Sequence, residues 1–260
     1  MQLPVVTTPL HLEAPAFLKL FRQLGPSLAL WRAAEVAALR QQDYAHPVLD
    51  VGCGDGLITS MVLEKVEIGC DPFRDALKLA ARTGIYRRLE AAPVEEISIK
   101  SGSVATVVCN SVLEHAAVLD PVLSTVKRVL RPGGRFVFCT PTDQFSRWLA
   151  LPVKTYGSWR NRHLSHVNLW PAQMWAQRLN LMSLTIESVR PYMTRPLVFL
   201  WDVVDLLERV WVAGHRLVGV IWKRLPPALL SKLSRAASRI DLSAPFPGGG
   251  HVIVARKSGS

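Results

Sequence analysis

Asp50, Gly52, Gly54, Gly56 and Asp71 are the residues whose types and spacing most directly imply chemistry. They begin in Val48-Leu-Asp-Val-Gly-Cys-Gly-Asp-Gly56, an apolar run that enters three glycines at alternate positions. Glycine adopts φ > 0 without steric cost and lets a bound group approach the main chain. The spacing therefore predicts a strand turning into a helix around a small ligand. Downstream, Ile68-Gly69-Cys70-Asp71 reads as a second buried strand ending in a carboxylate. In a doubly wound sheet an acid at that place reaches the hydroxyls of a ribose. The glycine spacing is G-x-G-x-G, not the G-x-G-x-x-G that aims a helix at a pyrophosphate. Asp50 and Asp55 would repel such a group and suit a ligand carrying positive charge.

The elements that must position these residues follow in order. Ser103-Val-Ala-Thr-Val-Val-Cys109 is a short β-branched run, a buried strand on pattern. After it come Asn110-Ser-Val-Leu-Glu-His115, Val126-Lys-Arg-Val-Leu130, Arg131-Pro-Gly-Gly134 and Arg135-Phe-Val-Phe-Cys139. With the glycine loop and Asp71, these segments resemble the class I S-adenosylmethionine-dependent methyltransferases, in the branch that includes the ubiquinone-pathway enzymes. The resemblance is tight over residues 46 to 140 and loose beyond.

The resemblance implies an α/β fold: a Rossmann-like, doubly wound, seven-stranded sheet whose last strand is antiparallel. It implies S-adenosylmethionine as cofactor, with Asp71 and Pro72 at the ribose and Gly52, Cys53 and Gly54 along the methionine portion. Asp50 would orient the loop or take the ammonium, and Asn110 and Ser111 would border the methyl. The family often places an aspartate after the third strand for adenine. Here the stretch is Glu90-Ala-Ala-Pro-Val94, so adenine falls to backbone near Ala92, to Pro93 and to Val94, with Glu90 a weaker candidate. The family's acid inside the fourth strand is Ala105 here.

Around that core, two helices are predicted over Leu10 to Gln42, broken at Gly25-Pro26. Related enzymes carry such helices as a cover, and plain packing against the sheet explains the same apolar stripe. We divide the chain into a cover at 1–45, a core at 46–191 and 250–257, and a helical insert at 192–249. Residues 182–191 should form the sixth strand and 250–256 the seventh. The first twenty residues lack a basic start and a continuous apolar stretch, which argues against secretion. Cys53, Cys70, Cys109 and Cys139 fall at predicted strand ends with no C-x-x-C pair, as in a reduced, cytoplasmic protein.

Residues 141–170 carry Phe145, Trp148, Tyr156, Trp159, Arg160, Arg162, His163, His166, Asn168 and Trp170, aromatic rings beside polar groups, as in a pocket for a hydrophobic small-molecule acceptor. His166 and His163 could take a proton from an acceptor hydroxyl, since imidazole titrates near neutral pH. His115 is a third candidate. In the ubiquinone-pathway enzymes a similar Glu-x-x-Glu-His segment is associated with a metal, but the first glutamate is Ser111 here. Glu114 and His115 alone make a poor divalent site, so no metal is expected.

The insert is apolar from Leu197 to Trp222, yet Asp202, Asp205, Arg209 and Arg216 recur at helical steps, with Val203, Leu207, Val210, Trp211, Leu217, Val218 and Ile221 on other faces. Such charges are costly in hydrocarbon, so a spanning helix is not expected. Residues 160–239 hold twelve Lys or Arg against four Asp or Glu, a net +8 of the chain's +11. A basic, Trp-containing amphipathic segment fits the surface of an anionic membrane, and a lid or dimer interface would bury the same stripe. The basic charge also suits nucleic acid, but no RNA-binding module and no base-methylase loop accompany it.

The sequence reading is a methyltransferase for a hydrophobic or lipid-linked small molecule, acting on oxygen, cytoplasmic and peripheral at the inner membrane face. Its rivals are a cofactor-binding partner subunit without catalysis, an RNA methyltransferase and, weakest, an NAD-dependent oxidoreductase.

Overall fold

The computed structural model describes residues 3–212, 215–216 and 221–259. Its centre is a seven-stranded sheet of β1 (Val48–Val51), β2 (Val66–Cys70), β3 (Tyr86–Glu90), β4 (Val104–Asn110), β5 (Leu130–Pro141), β6 (Leu184–Tyr192) and β7 (Gly250–Lys257), in the order β3-β2-β1-β4-β5-β7-β6. β1 to β5 are parallel, and β7 runs antiparallel between β5 and β6. The sheet and its antiparallel last strand are as the sequence predicts.

Strand periodicity explains the layering. Along β5, Val137 and Cys139 point into one core while Phe136 and Phe138 point into the other. Along β7, Val252 and Val254 alternate in the same way with Ile253 and Ala255. A residue period of two puts neighbours on opposite faces, so a strand apolar at every position must be covered on both sides. One cover is α1 (Ala14–Leu24), α2 (Pro26–Leu39) and later α9 (Arg195–Glu208). The other is α5 (Leu119–Val129) with α8 (Ala172–Leu181). Between them in sequence lie α3 (Leu57–Ser60), α4 (Arg74–Arg82), α6 (Asp143–Arg147) and α7 (Lys154–His163).

The insert departs from expectation in two ways. First, no single helix runs from Leu197 to Trp222: α9 ends at Glu208, and Trp211–Val212 pairs with His215–Arg216 in a short antiparallel ladder. Leu217 and Val218 lie outside the described residues. α10 (Pro227–Ala237) follows and packs on α1. Second, the charged face of α9 points inward. Asp202 and Asp205 are buried, whereas Phe199, Leu200, Leu207 and Val210 are 40–49% exposed. The cause is Arg160 of α7, wholly buried, with Nε 2.8 Å from Asp202 Oδ1 and Nη2 donating to Asp205 Oδ2 at 2.7 Å. Buried charges persist when each has a partner, and here a residue on another helix supplies it. Among the described residues no helix is long and apolar enough to cross a membrane.

Candidate active site

The glycine loop is fastened to the end of β2. Gly52 and Cys53 both donate their amides to the Cys70 carbonyl, at 2.8 and 3.0 Å. Asp71 then ties the loop from its other side: Oδ2 accepts from the Gly54 amide at 2.9 Å and Oδ1 from the Phe73 amide at 2.8 Å. The conformation demands glycine. Gly52 has φ +66°, and a Cβ there would lie 2.3 Å from Val112 Cγ2. Gly54 has φ +53°, and a Cβ there would meet nothing within 4 Å, so the backbone is bare toward open space.

Asp50, buried on β1, accepts from the Tyr86 hydroxyl at 2.7 Å. Burial raises its carboxyl to about 6, hydrogen bonds from Thr59 and Tyr86 act against the rise, and the nearby Asp71 adds to it. Asp55 does not face a ligand alone: its Oδ1 accepts from the Leu57 amide at 3.0 Å and starts α3.

A cavity of about 250 Å³ opens over this loop, lined by Asp50, Gly52, Cys53, Gly54, Asn110 and Ser111 from the core and by Leu24, Leu28 and Arg32 from the cover. A second cavity, of about 140 Å³, has apolar walls from Leu28, Trp31, Phe145, Leu164 and Trp201, with Ser111, Glu114, His115 and His166 as its polar side. Leu28, Arg32 and Ser111 line both. The two spaces therefore meet at those three residues.

Helix α2 and the exit of β4 build that meeting point together. Glu35, wholly buried, accepts from Trp31 Nε1 at 2.8 Å, Arg32 Nη1 at 2.6 Å, Asn110 Nδ2 at 3.2 Å and Ser111 Oγ at 2.6 Å. Ser111 holds φ +53°, a left-handed backbone that a β-carbon disfavours. The Asn110 Oδ1 is buried without a hydrogen-bond partner, an acceptor that a bound ligand would satisfy.

Across the second cavity, Glu114 is buried, and its backbone carbonyl accepts from the amides of Val167 and Asn168 at 2.7 and 3.2 Å, which brings the segment after α7 over the site. Burial above all pushes the Glu114 carboxyl up to about 8. His115 Nδ1 lies 3.0 Å from the Ser165 carbonyl. A carbonyl only accepts, so Nδ1 carries a hydrogen, and it is in the neutral ring that Nε2, 3.9 Å from Glu114 Oε1, is bare. The ring of His166 lies 5.3 Å from that of His115, and burial first, then His115 whenever it carries a second proton, and the cations Arg160 and Arg32, lower it to about 3. Sequence counting stopped at Glu114 and His115, whereas the fold adds His166, with donor atoms of all three within 4.8 Å of one another.

The structure thus gathers Asp50, Gly52, Cys53, Gly54, Asn110 and Ser111 at one cavity and His115 and His166 at the adjoining one. Asp71, Pro72, Pro93 and Val94 lie outside both linings, at the ends of β2 and β3. His163 is apart from them: its Nε2 accepts from Arg209 Nη1 at 2.6 Å and its ring stacks on Trp159. Trp31, Arg32 and Glu35 were missed from sequence. The available signal was two charged residues, Arg32 and Glu35, inside a helix that is apolar at nearly every other position.

Comparison with known proteins bears on the domain and the fold that carry this site. Residues 49–138 match the family model described as methyltransferase domain. The ubiquinone biosynthesis O-methyltransferase of Klebsiella pneumoniae is 29% identical over 117 residues, 42% of this chain and 48% of that protein. Its namesake in Erwinia tasmaniensis is 25% identical over 138 residues, 50% and 55% of the two chains. The chain thus spans about half the length of the curated relatives it matches. Among solved structures, an S-adenosylmethionine-dependent methyltransferase from Thermotoga maritima aligns with a TM-score of 0.58 at 13% identity, covering 93% of this chain and all of that one. The geranyl diphosphate C-methyltransferase of Streptomyces coelicolor, in complex with S-adenosyl-L-homocysteine, aligns with a TM-score of 0.55 at 16% identity over 90% of this chain and 81% of that one. These likenesses are of fold. Residues 49–138 match a methyltransferase domain, and S-adenosylmethionine is the cofactor of such a domain.

Proposed function

We propose that this chain, whose residues 49–138 match a methyltransferase domain, transfers the methyl of S-adenosylmethionine to an oxygen of a small hydrophobic acceptor. The observation that carries the reading is the junction of the two cavities at Leu28, Arg32 and Ser111. A cofactor seated over Gly52 and Gly54 and an acceptor seated against Trp31 and Phe145 would meet there. Bound in this way, S-adenosylmethionine supplies an electrophilic methyl on a sulfonium leaving group. The chain then has to align the two partners and exclude water, which is where a displacement gains most of its rate.

Each side chain has a part in this reading. Asp50 keeps its place against Tyr86 and offers negative charge to the cofactor's ammonium. Asp71 holds the glycine loop through Gly54 and presents its remaining lone pairs to the ribose, with Pro72, Pro93 and Val94 along the nucleoside. Asn110 Oδ1 and Ser111 border the methyl. His115, with Nε2 bare, receives the proton that an acceptor hydroxyl releases, and half-exposure of that ring gives the proton a way out. Neutral His166 orients the acceptor as a hydrogen-bond partner. His163, bonded to Arg209, serves the structure in this account. The cluster of Glu114, His115 and His166 handles protons without a metal.

The relatives from Klebsiella pneumoniae and Erwinia tasmaniensis are named O-methyltransferases, which supports oxygen as the atom. The apolar second cavity supports a hydrophobic acceptor. The cover at 1–45, the core and the insert at 192–249 act as the three working parts. We assign the insert to the cytoplasmic face of an anionic membrane. Phe199, Leu200 and Leu207 of α9 and Leu229 and Leu233 of α10 are each 42–49% exposed, and Arg224, Lys232, Arg235 and Arg239 are exposed around α10. Nucleic acid is not part of this account.

The test is transfer of labelled methyl from S-adenosylmethionine into host extract, split into lipid-soluble and aqueous fractions. Label in the lipid-soluble fraction supports the reading. Label confined to the aqueous fraction removes the hydrophobic acceptor, and cofactor binding with no label in either favours a partner subunit without catalysis.

A further inference from the structure

Glu35 belongs to the cover, yet every hydrogen bond it accepts bears on the point where the two cavities meet. Two donors are neighbours on its own helix: Trp31 Nε1, whose ring lines the acceptor cavity, and Arg32 Nη1, which lines both. The other two come from the exit of β4: Asn110 Nδ2, whose Oδ1 is left without a partner, and Ser111 Oγ at 2.6 Å. Ser111 is held at φ +53°, where a β-carbon crowds the backbone. Such a backbone persists only when its surroundings fix it. The Ser111 amide donates to the Cys139 carbonyl at 3.1 Å, and the short bond from Ser111 Oγ to the buried Glu35 is the fixing contact that the cover adds, because bonds to a carboxylate are the stronger class.

We propose that Glu35 is a positioning residue for the transfer: acting through Ser111 and Asn110, it sets the wall shared by cofactor and acceptor, so that the cover is part of the active centre. The inference rests on the methyltransferase reading above. It settles a point the apolar stripe of the helix leaves open, since plain packing would be served as well by leucine at position 35. A leucine would leave Trp31 Nε1, Asn110 Nδ2 and Ser111 Oγ without their acceptor.

The experiment is calorimetric binding of S-adenosylhomocysteine to the full-length protein, with Glu35→Gln, Ser111→Gly, Ser111→Ala and the double variant Glu35→Gln/Ser111→Gly. Glutamine has one oxygen and no charge, so it cannot serve four donors, and we expect binding to weaken about tenfold, the scale of one charged hydrogen bond. Glycine takes φ > 0 unaided, so in the Ser111→Gly background the Glu35→Gln penalty should shrink to about threefold or less, a coupling that a double-variant cycle reads directly. Equal penalties in the two backgrounds would show that Glu35 acts as bulk structure and overturn the inference. Should Glu35→Gln fail to fold, the Ser111 variants decide it: Ser111→Ala, which keeps the β-carbon and loses the bond, must bind more weakly than Ser111→Gly, and equal binding overturns the inference. A parent protein that binds no S-adenosylhomocysteine at all sinks the methyltransferase reading itself, whereas a parent that binds while the Glu35 variants are unchanged sinks only the role of Glu35.

Discussion

Arg160 on α7 and Asp205 on α9, forty-five positions apart, share a hydrogen bond of 2.7 Å in the interior. Asp205 also accepts from Arg209, and Asp202 accepts from the Tyr156 hydroxyl at 2.7 Å and the Ala150 amide at 2.9 Å. This network turns α9 so that Asp202 and Asp205 face inward while Phe199, Leu200 and Leu207 face out. Removing one partner of a buried pair leaves an uncompensated charge, which costs about 3 kcal/mol or more. Arg160→Met should therefore lower unfolding stability in urea by about that amount. Replacing Asp202 and Asp205 by Asn in the same chain should restore part of it. A single variant as stable as the parent would show that the network is dispensable.

The outward face of α9 predicts where lipid contact occurs. Phe199→Ser with Leu207→Ser should reduce pelleting with anionic vesicles several-fold, and Lys232→Ala with Arg235→Ala should do the same. Only the loss caused by the charge variants should be mimicked by added salt, because screening acts on charge and not on apolar burial. Absence of pelleting by the parent protein would contradict the assignment of the insert.

Glu114 gives the folded protein a pH dependence of definite sign. Its carboxyl is raised from 4.5 to about 8, so between those values the fold holds a proton that the unfolded chain has released. Stability from this group is present below pH 4.5 and is lost as pH rises through about 8. The groups bearing on it are Arg32 and Glu35 of α2, Ser111, His115 and His166, of which Glu35 raises the carboxyl further and Arg32 and Ser111 lower it. Glu114→Gln, neutral throughout, should flatten the decline in Tm between pH 6 and 8.5. Parallel Tm curves for parent and variant would refute the assignment.

The proton-handling reading of Glu114, His115 and His166 also predicts the response to chelation. Dialysis against EDTA should leave methyl transfer unchanged, and added divalent cations should not raise it. Activity lost on chelation and restored by one cation would replace this reading with a metal-dependent one.

The core was legible because its signals are local. The run Val48 to Gly56, the acid at Asp71 and the turn Arg131 to Gly134 each lie within a few residues, and the structure places them at the end of β1, just after β2 and within β5. The orientation of α9 was not legible, since the spacing of Asp202 and Asp205 says that they share a face and not which face is buried. That choice was made by Arg160, in a separate helix. The same holds for Glu35, whose meaning depends on Asn110 and Ser111 some seventy-five positions later. His166 joins His115 only because the Glu114 carbonyl captures the amides of Val167 and Asn168. Site residues that gain their roles through contacts distant in sequence leave no periodic trace.

The central claim is that cofactor and acceptor meet at Leu28, Arg32 and Ser111. A crystal structure of the protein with S-adenosylhomocysteine bound tests it most directly. The account predicts the amino-acid end over Gly52 and Gly54 and the sulfur turned toward Ser111, facing the cavity of Trp31 and Phe145. A ligand whose sulfur points away from that cavity, or one bound elsewhere on the chain, would contradict it.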